Sequence, residues 1–191
     1  MDESLAKIRH ERSKRDYPGV SFREDEYVEY AFFRAKICLW GILIATFVGL
    51  VIILLAFLFV LLAQEQLDDM GRRFLFIVLF SLLGASIIIC LVAVKIYKGN
   101  RLFITNKRAI QLIMNTIVSS SVNVIDLSSI EDASFRQDTI LQRLFHYGTL
   151  RLATVGDETT YTFKYSDISP EELKGVSKLI SIAKKSMQKD N

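Results

Sequence analysis

The stretch Ile37–Ala63, ICLWGILIATFVGLVIILLAFLFVLLA, is 27 residues long and contains no charged side chain. A second uncharged stretch, Phe74–Val94, reads FLFIVLFSLLGASIIICLVAV. About 20 helical residues cross the hydrocarbon core of a bilayer, and backbone groups in lipid must be satisfied within the segment. The two stretches therefore predict a transmembrane hairpin over residues 37–97, with helices at 37–63 and 74–97. The alternative is a pair of helices buried in a soluble core.

The charged residues all lie outside these stretches, although the chain contains 24 Lys and Arg and 21 Asp and Glu residues. This distribution excludes a soluble globular protein with one large core and indicates two spans plus a modest water-soluble part. A net charge of +3 is too small to indicate a nucleic-acid partner. Cys38 and Cys90 both lie in the apolar stretches, which excludes a secreted scaffold held by disulfides.

The connection at 64–73 is short, so both termini should lie on the same side of the membrane. Seven basic residues flank the ends of the spans that face the termini, whereas only Arg72 and Arg73 lie in the connection. The seven are Arg23, Arg34, Lys36, Lys98, Arg101, Lys107 and Arg108. The positive-inside rule then places both termini in the cytoplasm.

Small residues recur along the predicted spans. Gly41, Ala45 and Gly49 are four residues apart, and Ala85 and Ala93 lie at matching depths of the second span. Small residues at this spacing let helix backbones approach closely. They either close the hairpin or form a face for a homo-oligomer or for a span of another membrane protein.

The first 36 residues form a charged N-terminal segment with two open interpretations. Residues 3–15 have mixed charge and few apolar side chains, which fits a loosely ordered tail or a surface helix. Tyr17-Pro18-Gly19 predicts a turn. Residues 20–33 are richer in aromatic side chains and form either a short strand or an interfacial lead-in to the first span.

Residues 98–191 predict a separate domain of antiparallel strands followed by one helix. The predicted strands cover residues 101–105, 109–114, 122–127, 149–155 and 161–165, with a turn at 156–159. Ser169-Pro170 predicts the start of a helix. Its apolar stripe consists of Leu173, Val176, Ile180, Ala183 and Met187. A small curved sheet or barrel with this helix at its open end satisfies the pattern.

Four motifs resemble those of the bacterial pleckstrin-homology-like (PH-like) domains, also called membrane-flanked domains. They are Pro18-Gly19 with Glu24-Asp25-Glu26, RLFITNKRAI at 101–110, IDLSSI at 125–130, and residues 134–152 ending in Gly148-Thr-Leu-Arg-Leu. The resemblance is to members with two spans and covers residues 18–185. It implies a membrane protein of the α+β class, with a PH-like antiparallel β-barrel capped by a C-terminal helix beside a transmembrane hairpin. It also implies a bacterial inner membrane and no established catalytic activity.

Two features depart from the family pattern. His146-Tyr147 precedes Gly148, and the domain has no second copy in the chain.

The sequence contains no recognisable catalytic or metal-binding motif. Its two histidines are His10 in the charged segment and His146, which fits a turn or packing residue. Neither cysteine lies where it could complete a metal site with them, and no phosphate-binding loop or nucleophile elbow occurs. We therefore expect no enzyme activity, no cofactor, no metal and no nucleic-acid partner.

A basic cluster is the first candidate site. Lys95, Lys98, Arg101, Lys107 and Arg108 lie close in sequence to the predicted cytoplasmic interface. They either only signal topology or form a rim that binds anionic lipid headgroups, since each basic residue near an anionic leaflet can gain about 1 kcal/mol.

An apolar cluster is the second candidate site. Phe135, Ile140, Leu141, Leu144 and Phe145 lie in a stretch, 134–147, that has the pattern of a loop. They either fill the barrel or form an exposed docking patch for another protein. We therefore expect a non-enzymatic, membrane-anchored module that recruits a partner or assembles with itself. The alternative is a module that binds or handles anionic lipid.

Overall fold

A computed structural model describes residues 2–62, 68–154 and 160–189. The helices are α1 (Asp2–Asp16), α2 (Lys36–Leu62), α3 (Asp69–Gly99), α4 (Ile140–Leu144) and α5 (Pro170–Lys189). The strands are β1 (Val28–Phe33), β2 (Arg101–Thr105), β3 (Arg108–Met114), β4 (Ser120–Asp126), β5 (Ile130–Arg136), β6 (Gly148–Thr154) and β7 (Thr160–Ser166).

The chain divides into two compact units. One, called here the folded unit, joins the N-terminal segment up to Ala35 with Lys98–Asn115 and the chain from Ser119 onward. The other contains Lys36–Tyr97 with Thr116–Val118. The N-terminal segment, which the sequence suggested as a region of its own, thus folds with the C-terminal part of the chain.

Helices α2 and α3 are both long and apolar enough to cross a membrane, and no residue in the most apolar window of either is buried. The alternative of a buried core pair therefore finds no support in the described residues. Helix α3 begins at Asp69, five residues earlier than predicted. Asp69 favours the positive end of the helix dipole and pairs with Arg72 at 2.7 Å. The rest of the predicted connection, 64–67, lies outside the described residues.

The strands form two antiparallel sheets, one of four strands in the order β1-β2-β3-β4 and one of three in the order β5-β6-β7. Phe33, the last residue of β1, lies opposite Arg101, the first residue of β2. Helices α2 and α3 are therefore inserted in the chain where two adjacent antiparallel strands would otherwise be joined by a short turn.

Among the described residues, the two sheets do not close into the expected barrel. The two sheets are linked in the chain by a short 3-10 turn, Leu127–Ser129, and in space by an isolated bridge between Arg34 and Ser166. Part of the free edge of β1 is occupied by α1, because the Ser13 hydroxyl accepts the backbone N–H of Val28 at 3.0 Å. Within the described part of the chain, the backbone contacts of the N-terminal segment with β7 come from Arg34 and Ala35, which follow β1.

The end of strand β5 and helix α4 lie within residues 134–147, the stretch that has the sequence pattern of a loop. In β5, Ile130 and Ala133 are buried while the acidic residues between them are exposed. The register with β6 shifts between Ile130 and Asp132, which breaks the regular alternation that predicts a strand. The predicted turn at 156–159 lies outside the described residues.

The core lies between the inner faces of the two sheets and helix α5. Val176 and Ile180 are buried in it, and Leu173 and Ala183 pack against it, which confirms four residues of the predicted stripe. The side chain of Met187 lies outside the described residues. The helix begins with the predicted serine cap, because Ser169 Oγ accepts the N–H of Glu172 at 3.2 Å and the Glu172 carboxylate accepts the N–H of Ser169 at 2.8 Å.

Candidate functional site

The N-terminal segment is a helix packed on the sheet rather than a loose tail. Ser13 of α1 is buried, His10 Nδ1 lies 2.6 Å from the carbonyl oxygen of Glu26, and Arg9 lies 3.6 Å from Glu29. Residues 28–33 form strand β1, which decides between the two interpretations left open for 20–33. Mixed charge along α1 therefore reflects a helix with one face in contact with protein.

Aromatic side chains of the same segment pack on the outer face of the four-stranded sheet at Phe103. The Tyr17 ring lies 4.7 Å from the ring of Phe103, and the Phe33 ring meets Phe103 edge-on at 6.4 Å. Phe103 is completely buried, and its cross-strand partner Ile110 is 2% exposed. Both faces of β2 are thus packed, one against the core and one against the N-terminal segment.

A buried ion pair joins the N-terminal segment to the turn between β2 and β3. Glu26 is fully buried, and the side chain of Arg108 is 12% exposed. Arg108 donates from Nε to Glu26 Oε1 at 2.8 Å and from Nη2 to Oε2 at 2.9 Å, which is the bidentate geometry of a strong pair. Arg108 Nη2 also donates to the carbonyl of Ser21 at 2.7 Å.

The last residue of β2 and the two residues between β2 and β3 complete this contact. Thr105 donates to Glu26 Oε1 at 2.8 Å, and Lys107 Nζ donates to the Glu24 carbonyl at 2.8 Å. The Asn106 side chain accepts the N–H of Tyr27 at 3.1 Å and donates to the Asp25 carbonyl at 3.0 Å. We call this set of contacts between residues 21–27 and 105–108 the clasp. Two of the motifs that carry the family resemblance, Glu24-Asp25-Glu26 and the stretch 101–110, therefore contact each other in the fold.

The clasp holds Glu26 in its ionised form. Burial acts to raise the pKa of the Glu26 carboxyl group, but hydrogen bonds from Arg108, from the N–H of Arg23 and from Thr105 outweigh it. The pKa of Glu26 is therefore lowered from its ordinary value. A carboxylate that is satisfied in this way has a structural role and is poorly suited to accept a proton from a substrate.

The basic cluster is divided by these contacts. Lys107 and Arg108 are engaged in the clasp, whereas Arg101 donates to the carbonyl of Lys98 at 3.0 Å and lies over the Phe33 ring. Lys95 and Lys98 are exposed on α3. Headgroup binding by the cluster stays a prediction, and Lys98 and Arg101 are its members nearest to the start of β2.

Four of the five residues of the apolar cluster are exposed. Ile140, Leu141, Leu144 and Phe145 lie on or directly after α4, where none of them is buried. Phe135 instead lies in β5 and packs against the core. Spacing alone could not separate Phe135 from the others, because the boundary between β5 and α4 carries no glycine or proline. Protein docking at the cluster stays a prediction.

The space beside most of the small residues of the apolar unit is not occupied by other described residues. Adding a Cβ atom at Gly41 or Gly49 would meet nothing within 4 Å, and Ala45 and Ala85 are exposed, while Ala93 is partly buried. Contacts between α2 and α3 include Phe57, whose ring lies 5.1 Å from Phe76 and 6.0 Å from Phe80. The described part of the chain thus places no atom against Gly41 or Gly49. Both uses of these small residues, closure of the hairpin and a helix-packing face for another chain, stay predictions.

In residues 2–62, 68–154 and 160–189, no three His, Cys, Asp or Glu side chains are grouped so as to hold a metal ion. His146 lies in the turn after α4 with a φ of 54°, in the left-handed region.

No family model matches the sequence, and no curated protein matches it. A solved structure that resembles part of the chain is a DUF1696 family protein with a pleckstrin-homology domain from Shewanella loihica PV-4. The two chains are 16% identical, with a TM-score of 0.32, over 44% of this chain and 70% of the other.

Replacing Arg108 with alanine should strongly destabilise the folded unit. The change leaves the buried Glu26 carboxylate without its ion-pair partner, which costs about 3–5 kcal/mol. Urea unfolding of the detergent-solubilised protein, followed by near-ultraviolet tyrosine signals, would measure it, because Tyr97 is the only one of seven tyrosines outside the folded unit. The control Arg136→Ala, at an exposed arginine of β5 outside the clasp, should cost about 0.5 kcal/mol or less.

The double variant Glu26→Met with Arg108→Met tests whether the lost stability comes from an unpaired buried charge or from any substitution at these positions. It removes both charges, so it should recover most of the loss caused by Arg108→Ala. Equal instability of the single and double variants would contradict the assigned role.

Stability should fall with acid because of Glu26. A carboxyl group whose pKa is lower in the folded state contributes stability above its unfolded pKa, about 4.3, and loses it as the pH falls through the folded pKa. In the same urea assay, the unsubstituted protein should have a larger free energy of unfolding than Glu26→Gln at about pH 7, and this difference should shrink as the pH falls to about 3. A constant difference between the two proteins over that window would show that the clasp does not hold the charged carboxylate.

Proposed function

We propose that the protein is a non-enzymatic module anchored in a bacterial inner membrane by α2 and α3, with a PH-like unit in the cytoplasm that recruits a partner protein. The seven antiparallel strands in two sheets and the C-terminal helix against their core support the PH-like assignment. The length and apolar character of α2 and α3 support the anchoring. The basic residues near the terminus-facing ends of both helices support the cytoplasmic placement.

The open edge of β4 is the observation that carries recruitment. β4 is the last strand of its sheet, and among the described residues it pairs only with β3. An unpaired strand edge offers a row of backbone donors and acceptors to a strand of another chain. The opposite edge of the sheet, at β1, is by contrast occupied in part by α1 through Ser13.

An apolar row on the outer face of the sheet leads to this open edge. Ala31, Phe103, Ile110 and Val124 are successive cross-strand partners from β1 to β4. Phe103 and Ile110 are covered, but Val124 is 46% exposed and Val122, on the same face of β4, is 57% exposed. A strand added beside β4 would extend the row and cover both valines, so the surface fits a partner that presents an apolar strand.

Three buried polar side chains of the folded unit, Glu26, Gln111 and Asn100, make hydrogen bonds to other parts of the fold, which supports a structural use of these groups. Gln111 donates to the Thr162 carbonyl at 2.9 Å and so ties one sheet to the other. Asn100 donates to the Met114 carbonyl at 3.0 Å at the start of β2. Together with Glu26 in the clasp, these side chains hold the backbone in place.

Anionic-lipid binding is the second candidate function. It is favoured by the position of Arg101, whose guanidinium lies 6.0 Å from the centre of the exposed Phe33 ring and beside Lys98 where the chain leaves α3. An arginine held against an aromatic ring near a predicted membrane interface is well placed for a lipid phosphate.

The native mass of the full-length protein, extracted together with its surrounding lipid, tests the proposal. We expect a discrete complex, either with another protein or with further copies. Val124→Lys should dissociate it, because a lysine at a strand edge opposes pairing with another strand. The matched control is Thr160→Lys, which puts the same charge on an exposed position of β7 and should leave the complex intact.

A protein that remains monomeric at native mass would contradict recruitment through β4. A monomer that carries a defined anionic lipid, lost in the double variant Lys98→Gln with Arg101→Gln, would support lipid binding instead. A complex that is unaffected by Val124→Lys would place the interface elsewhere and overturn the role of β4.

A further inference from the structure

Helix α4 lies at the end of the folded unit from which the chain enters α2. It connects the end of β5 to Gly148, the first residue of β6, and Gly148 pairs with Ser166 at the end of β7. Ser166 forms the bridge with Arg34, and the N–H of Ala35 donates to the Tyr165 carbonyl at 2.6 Å. Arg34 and Ala35 are the last two residues before α2. The pairing of β5, β6 and β7 therefore brings α4 to the same end of the folded unit as Arg34 and Ala35.

Hydrogen bonds fix α4 although it has only five residues. Thr139 and Gln142 form a reciprocal capping box at its start. The side-chain amide of Gln137 donates at 3.2 Å both to the carbonyl of Gln142 and to that of Tyr147, which follows the helix. The side chains of α4 are thus presented by an ordered turn of structure.

This ordered turn exposes four large apolar side chains. Ile140 is 86% exposed, Leu141 59%, Leu144 65% and Phe145 46%. Such an arrangement is unfavourable in water and favourable against an apolar phase. The exposed side chains therefore need a cover that the folded unit does not provide.

The residues around α4 are of the types found where proteins meet the lipid headgroups. The rings of Tyr147 and Tyr165 lie 6.3 Å apart, and Tyr165 is 43% exposed. The Arg34 guanidinium lies 5.9 Å from the centre of the Tyr165 ring. Arg143 is exposed on α4 itself. Tyrosine is enriched at membrane interfaces, and arginine can reach lipid phosphates while its apolar stem is covered.

We infer that α4 lies in the surface of a lipid bilayer, with Ile140, Leu141 and Leu144 among the acyl chains and Arg143 at the phosphates. The inference rests on the proposed membrane anchoring, because the chain that leaves Ala35 would enter the same bilayer. Interfacial helices of this kind insert about 5–10 Å into the headgroup and acyl boundary. The folded unit is then held to the membrane at α4 as well as through its chain connections to α2 and α3.

Quenching by nitroxide lipids tests the inference on the full chain. Cys38 and Cys90 are first replaced with alanine, and the protein is reconstituted in vesicles of phosphatidylcholine and phosphatidylglycerol. A single cysteine at Leu141→Cys carries an environment-sensitive dye, with Leu144→Cys as a second position. Glu131→Cys is the matched control, because it is exposed near the other end of β5. Leu54→Cys, exposed on α2, reports the anchoring.

We expect the dye at 141 and at 144 to lose fluorescence to a nitroxide held near the headgroup, while the dye at 131 keeps its fluorescence. Fluorescence retained at 141 and 144, with the dye at 54 quenched by a nitroxide deep in the acyl chains, would overturn the inference and leave the anchoring intact. The patch would then be a protein docking surface. Fluorescence retained at 54 as well would overturn the anchoring, and the inference with it.

Discussion

The buried ion pair between Glu26 and Arg108 is the contact on which the folded unit depends. Its two residues are separated by 82 positions and by both apolar helices. A buried charge without its partner is very costly. The N-terminal segment and the start of β3 are therefore stable in this arrangement only when both are in place. The pair is therefore a condition for β1 to align with β2 and for the outer face of the sheet to be covered.

This constraint explains where the molecule leaves surfaces open. The N-terminal segment packs on Phe103 through Tyr17 and Phe33, whereas Val124 in the last strand stays exposed at an open edge. Arg34 and Ala35 join β7 at the point where the chain leaves for α2. That junction places α4 at the same end of the unit. The surface proposed for a protein partner, at the edge of β4, and the surface proposed for lipid, at α4, are thus two separate parts of the same folded unit.

The sequence predicts the features that depend on local pattern. Two uncharged stretches, the strands near Phe103 and Ile110, and the capped helix from Pro170 are each visible as runs or periods of apolar residues. The clasp is not visible in this way, because Glu26 and Arg108 become neighbours only when the chain returns from α3. The expected barrel was wrong because α1 occupies part of the edge of β1, and a helix of mixed charge gave no sign of that contact. The exposure of Leu141 and the packing of Phe135 against the core likewise depend on where β5 ends.

The most direct test of the account is to join residues 1–35 to residues 98–191 with a short flexible linker and to measure urea unfolding. Because Phe33 lies opposite Arg101, a turn can replace α2 and α3. If the folded unit depends on the Glu26–Arg108 pair, the linked chain should unfold in one cooperative transition, which is lost when residues 1–35 are omitted and moves to lower urea with Arg108→Ala. A chain of residues 98–191 that is equally stable by itself would contradict it, because the N-terminal segment would then be dispensable.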